Sequence, residues 1–233
     1  MTQKSLKFLL NPMRNLQKPD AIFFDWDGTL VDTLPTMTAN HNHVLQKFSM
    51  DPISMDEAKK RIRKSSRELF PEIFGDKSDE AFQAFYEYVE KTHLDNLAAF
   101  DDSQMFLDTI FSMGIPMGIV SNKRHKFLIR EISHLGWDKY LVSNIGAGEA
   151  AKDKPAPDPL LMAVDKIGLN PQKNEIWYVG DTETDMMAAI AAGFQPIFIE
   201  HGLGTREDCE HAKIQPYFVN KLPDLIALVE KFV

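Results

Sequence analysis

The sequence predicts an α/β protein: a parallel sheet core, interrupted after its first strand by an all-helical insert. Three observations predict it. Four strand-sized apolar runs each end in turn chemistry and lead into a helix-compatible stretch. The region between about Pro35 and Phe100 has no such run and reads as helical throughout. The length of 233 residues is about 1.6 domains at roughly 150 residues each, which suits one domain carrying an insert.

The first run, Ala21–Phe24, leads into Asp25-Trp26-Asp27-Gly28-Thr29. The second, Ile115–Val120, is interrupted by Gly118 and ends in Ser121-Asn122. The third, Ile176–Val179, ends in Gly180-Asp181, and the fourth, Gln195–Ile199, ends near Glu200. Strands that alternate with helices build βαβ units, hence a parallel, Rossmann-like sheet. In the insert, Phe82, Phe85, Tyr86 and Val89 follow the i, i+3, i+4, i+7 spacing of one buried helix face. Ser54 and Glu57 have the spacing of a capping box that opens a helix. The predicted organisation is a leader over 1–20, a core over 21–34 and 101–233, and a helical insert over 35–100.

Composition narrows the function. With 44% apolar and 26% charged residues, the chain is neither disordered nor fibrous. A net charge of −8 argues against a nucleic-acid partner, which needs basic surface to neutralise phosphates. No apolar run approaches the roughly 20 residues of a membrane span, so no membrane partner is expected. One cysteine, Cys209, leaves no intramolecular disulfide and no CxxC motif, which fits a reducing cytoplasm. In the polar stretch Arg206–Glu210 it reads as a bystander. Residues 1–20 carry Lys4, Lys7, Arg14 and Lys18 around a short Phe8-Leu9-Leu10 cluster. They lack a long apolar region and a cleavage site, so they read as a leader and not as a secretory signal.

The residues able to carry chemistry stand at the ends of the apolar runs. Asp25 and Asp27, at i and i+2, point to one side if the strand continues. Ser121-Asn122 follows the second run; Asp181 and Asp185 follow the third. In an open parallel sheet, ligands bind outside the carboxyl ends of the strands, so these groups converge on one crevice. Four carboxylates, Asp25, Asp27, Asp181 and Asp185, cannot all stay ionised at close range without a cation. An all-oxygen cluster suits a hard ion, with Mg²⁺ the first choice where a phosphate completes the shell. Lys154, ahead of Pro155 at an expected helix start, adds a positive charge.

Those segments carry a family resemblance. The chain resembles the haloacid dehalogenase superfamily of hydrolases, in the form with a helical cap inserted after the first motif, and within it the phosphoglycolate phosphatase-like branch. The matching residues are Asp25-Trp26-Asp27-Gly28-Thr29-Leu30-Val31-Asp32-Thr33, then Ser121-Asn122, then Lys154-Pro155-Ala156-Pro157-Asp158-Pro159, then Gly180-Asp181 with Asp185. They occur in the family's order and span the chain from about residue 21 onward.

The resemblance implies roles. Asp25 is the nucleophile that forms an aspartyl-phosphate; Asp27 protonates the leaving oxygen and then activates water. Mg²⁺ is held by Asp25, the backbone carbonyl of Asp27 and Asp181, with Asp185 acting from the outer shell. Ser121 and the amide of Asn122 hold phosphoryl oxygens, and Lys154 offsets the repulsion between anionic nucleophile and anionic substrate. Lys152 is the alternative lysine, but the Lys-Pro-x-Pro context favours Lys154. The cap opens for binding and closes to exclude water.

The expected function is Mg²⁺-dependent hydrolysis of a small phosphate monoester, a phosphorylated metabolite resembling phosphoglycolate. Asp27 argues against the carbon–halogen and phosphonate chemistries of the superfamily. A sugar-phosphate phosphomutase of the same superfamily is the enzyme alternative, although Thr29 stands where mutases more often have Val. A non-catalytic binding module is the other. In the cap, Lys59, Lys60, Arg61, Arg63, Lys64 and Arg67 form a basic cluster. Arg63 and Arg67 share a face and are the candidates to clamp a substrate carboxylate. Trp26 reads as packing beneath the first loop. The seven histidines have no metal-binding spacing and read as structural or surface residues; His201, next to Gly202 and Gly204, stands nearest the site mouth.

Overall fold

The structure is a computed structural model that describes residues 16–61, 66–95 and 97–232. Most of the 1–20 leader lies outside these residues, as do Arg63, Lys64 and the side chain of Arg67. Asp32–Ala98 forms one compact unit and the rest of the described chain forms the other.

The larger unit is built on six parallel strands: β1 (Ala21–Phe24), β2 (Met117–Arg124), β3 (Leu141–Ala147), β4 (Ile176–Gly180), β5 (Gln195–Ile199) and β6 (Tyr217–Val219). Their spatial order is β3-β2-β1-β4-β5-β6. The chain builds outward from β1 in one direction, then returns to add β4 on its other side. The carboxyl ends of β1 and β4 therefore flank the topological switch point, where open α/β sheets bind their ligands.

The sequence reading placed β1 and β5 at the observed bounds and β4 within one residue. It missed β3 and β6. β3 reads LVSNIGA, with polar residues in mid-strand, and β6 has only three residues at a sheet edge. Neither is the continuous apolar run by which a doubly buried strand announces itself. β2 extends further than its apolar run, through Ser121 and Asn122 to Arg124, with a register shift after Val120.

Both sheet faces are covered. Successive side chains of a strand point to opposite faces, and β1 shows it. Phe23 packs against Phe194 (ring centroids 6.3 Å apart) in a core with Leu160, Val164 and Ala189. That side is covered by α7 (Asp158–Asp165) and α8 (Glu183–Ala192), which pack on each other. Phe24 meets Phe106 edge-on at 5.4 Å, in α5 (Ser103–Ser112), which packs against α10 (Leu222–Val229). α6 (His125–His134) packs on β2 and β3, and α9 (Arg206–His211) lies near α8. Cys209 is buried with Met186, Phe198 and Ile214, and burial pushes its thiol up to about 12. Its surroundings are apolar although its flanks in the sequence are polar.

The smaller unit is helical: α1 (Leu34–Lys47), α2 (Met55–Arg61), α3 (Ser66–Phe74) and α4 (Ser78–Thr92). The Ser54–Glu57 capping box forms as its spacing implies, with Ser54 N–H donating to Glu57 at 3.1 Å. The aromatic stripe is core. Phe82 and Phe85 pack on Phe70, at 4.8 and 5.4 Å, and His41 lies edge-on to Phe70 and Phe85.

Gly118, which interrupts the second apolar run, sits opposite Phe23 in the ladder. A Cβ there would meet the Phe23 ring and the Ser143 carbonyl oxygen, each at 2.5 Å. Gly118→Ala is therefore expected to cost about 1–3 kcal/mol, a fall in Tm of roughly 2–4 °C per kcal/mol for a chain of this size. An unchanged thermal unfolding midpoint would show that the sheet yields at this point.

Candidate active site

β1 ends at Phe24, and Asp25 follows at once, its N–H donating to Val179 O at 2.9 Å in continuation of the ladder with β4. The next residues leave the sheet. Gly28 adopts φ +79°, and Gly28 N–H donates to Val31 O at 2.9 Å, turning the chain back. The premise that Asp25 and Asp27 point to one side of a continuing strand is thus replaced by a tight loop. Asp25 is buried, whereas 27% of the Asp27 side chain is exposed.

Asp25, Asp181 and Asp185 converge. Each offers a carboxylate oxygen within 4.8 Å of the others, and all three residues are buried. The Asp27 carboxylate is not part of this cluster. Lys154 faces it, with its ammonium 2.8 Å from Asp25 Oδ1 and 2.7 Å from Asp185 Oδ1, and donating to Tyr178 Oη at 2.9 Å. An ammonium has three donors, and this one has three partners. Tyr178 Oη in turn donates to Val120 O at 2.6 Å. Lys152 is exposed and Lys154 buried, which separates the two candidate lysines.

Each charged group is locked by its neighbours. The Asn122 side chain clamps the Lys154 backbone from both sides, donating to its carbonyl at 2.9 Å and accepting from its N–H at 3.0 Å. Ser121 is buried, and its Oγ accepts from Lys123 N–H at 3.2 Å. Asp185 sits at the third position of α8 and closes a capping box with Thr182, Oδ2 accepting from Thr182 N–H at 3.0 Å. Asp181 Oδ2 accepts from Leu203 N–H at 2.7 Å. Gly28 and Gly202 press on that carboxylate: a Cβ would lie 2.3 Å or 2.1 Å from Asp181 Oδ2 respectively. The Gly202–Gly204 segment therefore lines the cluster. His201 Nε2 donates to Thr29 O at 3.0 Å, and its ring stacks on Phe100 at 4.1 Å. No histidine joins the carboxylate cluster among the described residues.

The electrostatics follow from burial. Desolvation raises Asp25 to about 6; Lys154 opposes the rise, while Asp185 and Asp27 add to it. Asp181 is pushed well above the carboxylate range by burial, then by Asp185 and Asp25. Burial pulls Lys154 down, but Asp185 and Asp25 outweigh it and hold the lysine well above its ordinary value. Three buried carboxylates facing one ammonium leave an excess of negative charge, and buried charge is tolerated only when paired or bound to metal. The donor set is oxygen only, which suits a hard divalent cation.

Sequence reasoning missed Lys123 and Glu131. Lys123 Nζ lies 2.7 Å from Asp27 Oδ1 and 2.5 Å from Glu131 Oε2, and Trp26 Nε1 donates to the same Glu131 oxygen at 2.7 Å. Lys123 could have been found, since it follows Ser121-Asn122 directly. Glu131 is one acid on an amphipathic helix, with no local signal.

Fold and site together define an α/β protein whose buried carboxylate cluster, paired with Lys154, could hold a metal ion. Comparison with known proteins agrees: the family model for haloacid dehalogenase-like hydrolases matches residues 22–199. A phosphoglycolate phosphatase of Xanthomonas campestris is 32% identical over 183 residues, covering 77% of this chain and 82% of that protein. One from Xylella fastidiosa is 32% identical over 204 residues, covering 85% and 88%. Among solved structures, a haloacid dehalogenase-superfamily hydrolase from Ehrlichia chaffeensis superposes with a TM-score of 0.63 at 25% identity, covering 94% of this chain and 99% of its own. The chain belongs to the haloacid dehalogenase-like hydrolase family, and within it is a phosphatase.

The raised Asp25 has a consequence for the metal-free protein. A proton bound more tightly in the folded than in the unfolded state stabilises the fold below the ordinary value of 3.8, and that contribution is lost as pH rises through about 6. Asp25→Asn mimics the protonated form. In chelator, it is expected to unfold at a higher temperature than wild type at pH 7.5, with the gap narrowing as pH falls below about 6 and closing only below the ordinary value of 3.8. A gap independent of pH would show that Asp25 carries no such strain.

Proposed function

We propose that the chain is a Mg²⁺-dependent phosphatase that hydrolyses a small phosphate monoester of the phosphoglycolate kind through an aspartyl-phosphate on Asp25. The observation that carries this reading is the convergence of Asp25, Asp181 and Asp185 at the carboxyl ends of β1 and β4, with Lys154 paired to Asp25 and Asp185. The substrate class rests on relatives named phosphoglycolate phosphatase at 32% identity over most of both chains. The buried free thiol of Cys209 fits a reducing cytoplasm as the working compartment.

Mg²⁺ would be held by Asp25, Asp181 and the Asp27 backbone carbonyl, and would supply charge compensation for the transferred phosphoryl group. Asp185 acts from outside this set, because both its oxygens are engaged, by Lys154 and by Thr182. The remaining work belongs to the chain. A carboxylate oxygen of Asp25 attacks phosphorus; an Asp25–phosphorus bond forms as the bond to the leaving oxygen breaks. Asp27 gives its proton to that leaving oxygen. Water then attacks phosphorus, Asp27 takes the water's proton, and inorganic phosphate departs with the Asp25 carboxylate restored.

Lys154 lowers the repulsion between the Asp25 carboxylate and an arriving phosphate, and its pinned backbone keeps it from following the substrate. Ser121 Oγ and the Asn122 backbone N–H receive phosphoryl oxygens; the Asn122 side chain is committed to Lys154. Arg63 and Arg67 are the proposed clamps for a substrate carboxylate.

The test is phosphate release from small phosphates and pyrophosphate, with and without Mg²⁺. Activity is expected to vanish in chelator, return with Mg²⁺, and be abolished in Asp25→Asn. Asp27→Asn should lose about 10²–10⁴-fold on alkyl phosphates. Phosphoglycolate should lead the panel. Transfer between sugar phosphates with no release of inorganic phosphate would point to a phosphomutase, and full activity in Asp25→Asn would overturn the covalent mechanism.

A further inference from the structure

The buried group Trp26–Glu131–Lys123 has no part in the reading above, and it ends on Asp27. Glu131 lies on α6 with its side chain only 2% exposed. A carboxylate so buried needs strong partners, and it has two on one oxygen: the Trp26 indole N–H at 2.7 Å and Lys123 Nζ at 2.5 Å. Lys123, 15% exposed, is shared onward to Asp27 Oδ1 at 2.7 Å. Burial alone would pull the lysine down; Asp27 and Glu131 hold it above its ordinary value. The anchor is stiff. Trp26 is fully buried and packs edge-on against Trp137 at 5.6 Å, and Trp137 Nε1 donates to Gln104 Oε1 at 2.9 Å.

The geometry at Asp27 is one-sided. Its Oδ1 is buried, yet 27% of the side chain is exposed. Lys123 is thus paired with the buried oxygen, while part of the Asp27 side chain stays exposed. A carboxyl on a loop outside the sheet has no other side-chain restraint among the described ion pairs and hydrogen bonds that would set this orientation.

We propose that Lys123 is a positioning residue for Asp27, itself fixed by Glu131 and Trp26, and that it turns Asp27 Oδ2 toward the leaving oxygen of the substrate. The inference rests on the reading of Asp27 as the group that protonates that oxygen. It predicts a selective defect. A misplaced Asp27 matters where the leaving oxygen is strongly basic and needs its proton as the bond to phosphorus breaks. It matters little where the departing phenolate is stable without one.

The experiment compares kcat/KM for the best alkyl phosphate of the panel and for p-nitrophenyl phosphate, because kcat/KM reports the first, phosphoryl-transferring step. In Lys123→Met the alkyl phosphate is expected to fall by about 10²-fold, in line with loss of positioned acid catalysis. The p-nitrophenyl ester should fall by less than about fivefold, against that same general-acid scale. Lys123→Met leaves the buried Glu131 carboxylate without its lysine, so the pair is also measured in Lys123→Met/Glu131→Gln, which removes both charges. Circular dichroism establishes that each variant is folded. Equal losses on both substrates, or no loss on either, would overturn the positioning role and leave Lys123 as a counter-ion for Glu131. An active Asp25→Asn control would instead bring down the phosphatase mechanism, and this inference with it.

Discussion

The burial of Lys154 among Asp25, Asp185 and Tyr178 is the interaction on which the site depends. Its geometry has to be good, because removing charges from water costs several kcal/mol per ion and only close, well-partnered contacts repay it. The ammonium donates to Tyr178 and Asp185 and pairs with Asp25, and the lysine's backbone is pinned by the Asn122 side chain. Loss of Lys154 would leave three acids buried without their compensating charge. The group is therefore a constraint on folding. It balances incompletely, and the remaining negative charge is what a divalent cation would neutralise.

Much of the surrounding backbone is shaped to permit this crowding. Gly28 and Gly202 lie so close to Asp181 that any side chain would displace its carboxylate. Leu203 N–H fixes one Asp181 oxygen, and the capping box of α8 fixes one of Asp185. Helix capping here has a second use: the residue that satisfies the start of α8 also holds the lysine. Local structure and the charged site are built from the same hydrogen bonds, which leaves the carboxylates little freedom before a ligand arrives. Such preorganisation is the source of most electrostatic catalysis.

Asp27 is restrained in another way. It lies outside the carboxylate cluster, on a loop, and its neighbours are a lysine and a buried glutamate two elements away. Trp26, between the two aspartates in sequence, faces into the core as its partners face the crevice. The short segment after β1 thus carries two separate restraints: Lys154 on Asp25, and the Trp26–Glu131–Lys123 group on Asp27.

Local pattern along the chain carries part of this architecture. Continuous apolar runs marked β1, β4 and β5, because strands buried on both faces must be apolar at every position. Turn residues after those runs marked where the acids stand, and strand–helix alternation placed them on one edge of a parallel sheet. The capping box at Ser54 and the aromatic stripe around Phe85 were equally legible, since i, i+3 and i+4 neighbours meet within one helix. The rest depends on contacts between distant parts of the chain. β3 and β6 are strands because neighbouring strands pair with them, not because their residues insist on it. The choice of Lys154 over Lys152 is made by burial. The clamp of Asn122 on Lys154 spans 32 residues and the bond of Trp26 to Glu131 spans 105. Partners so far apart leave no periodicity in the chain, because what brings them together is the packing of the sheet and its helices.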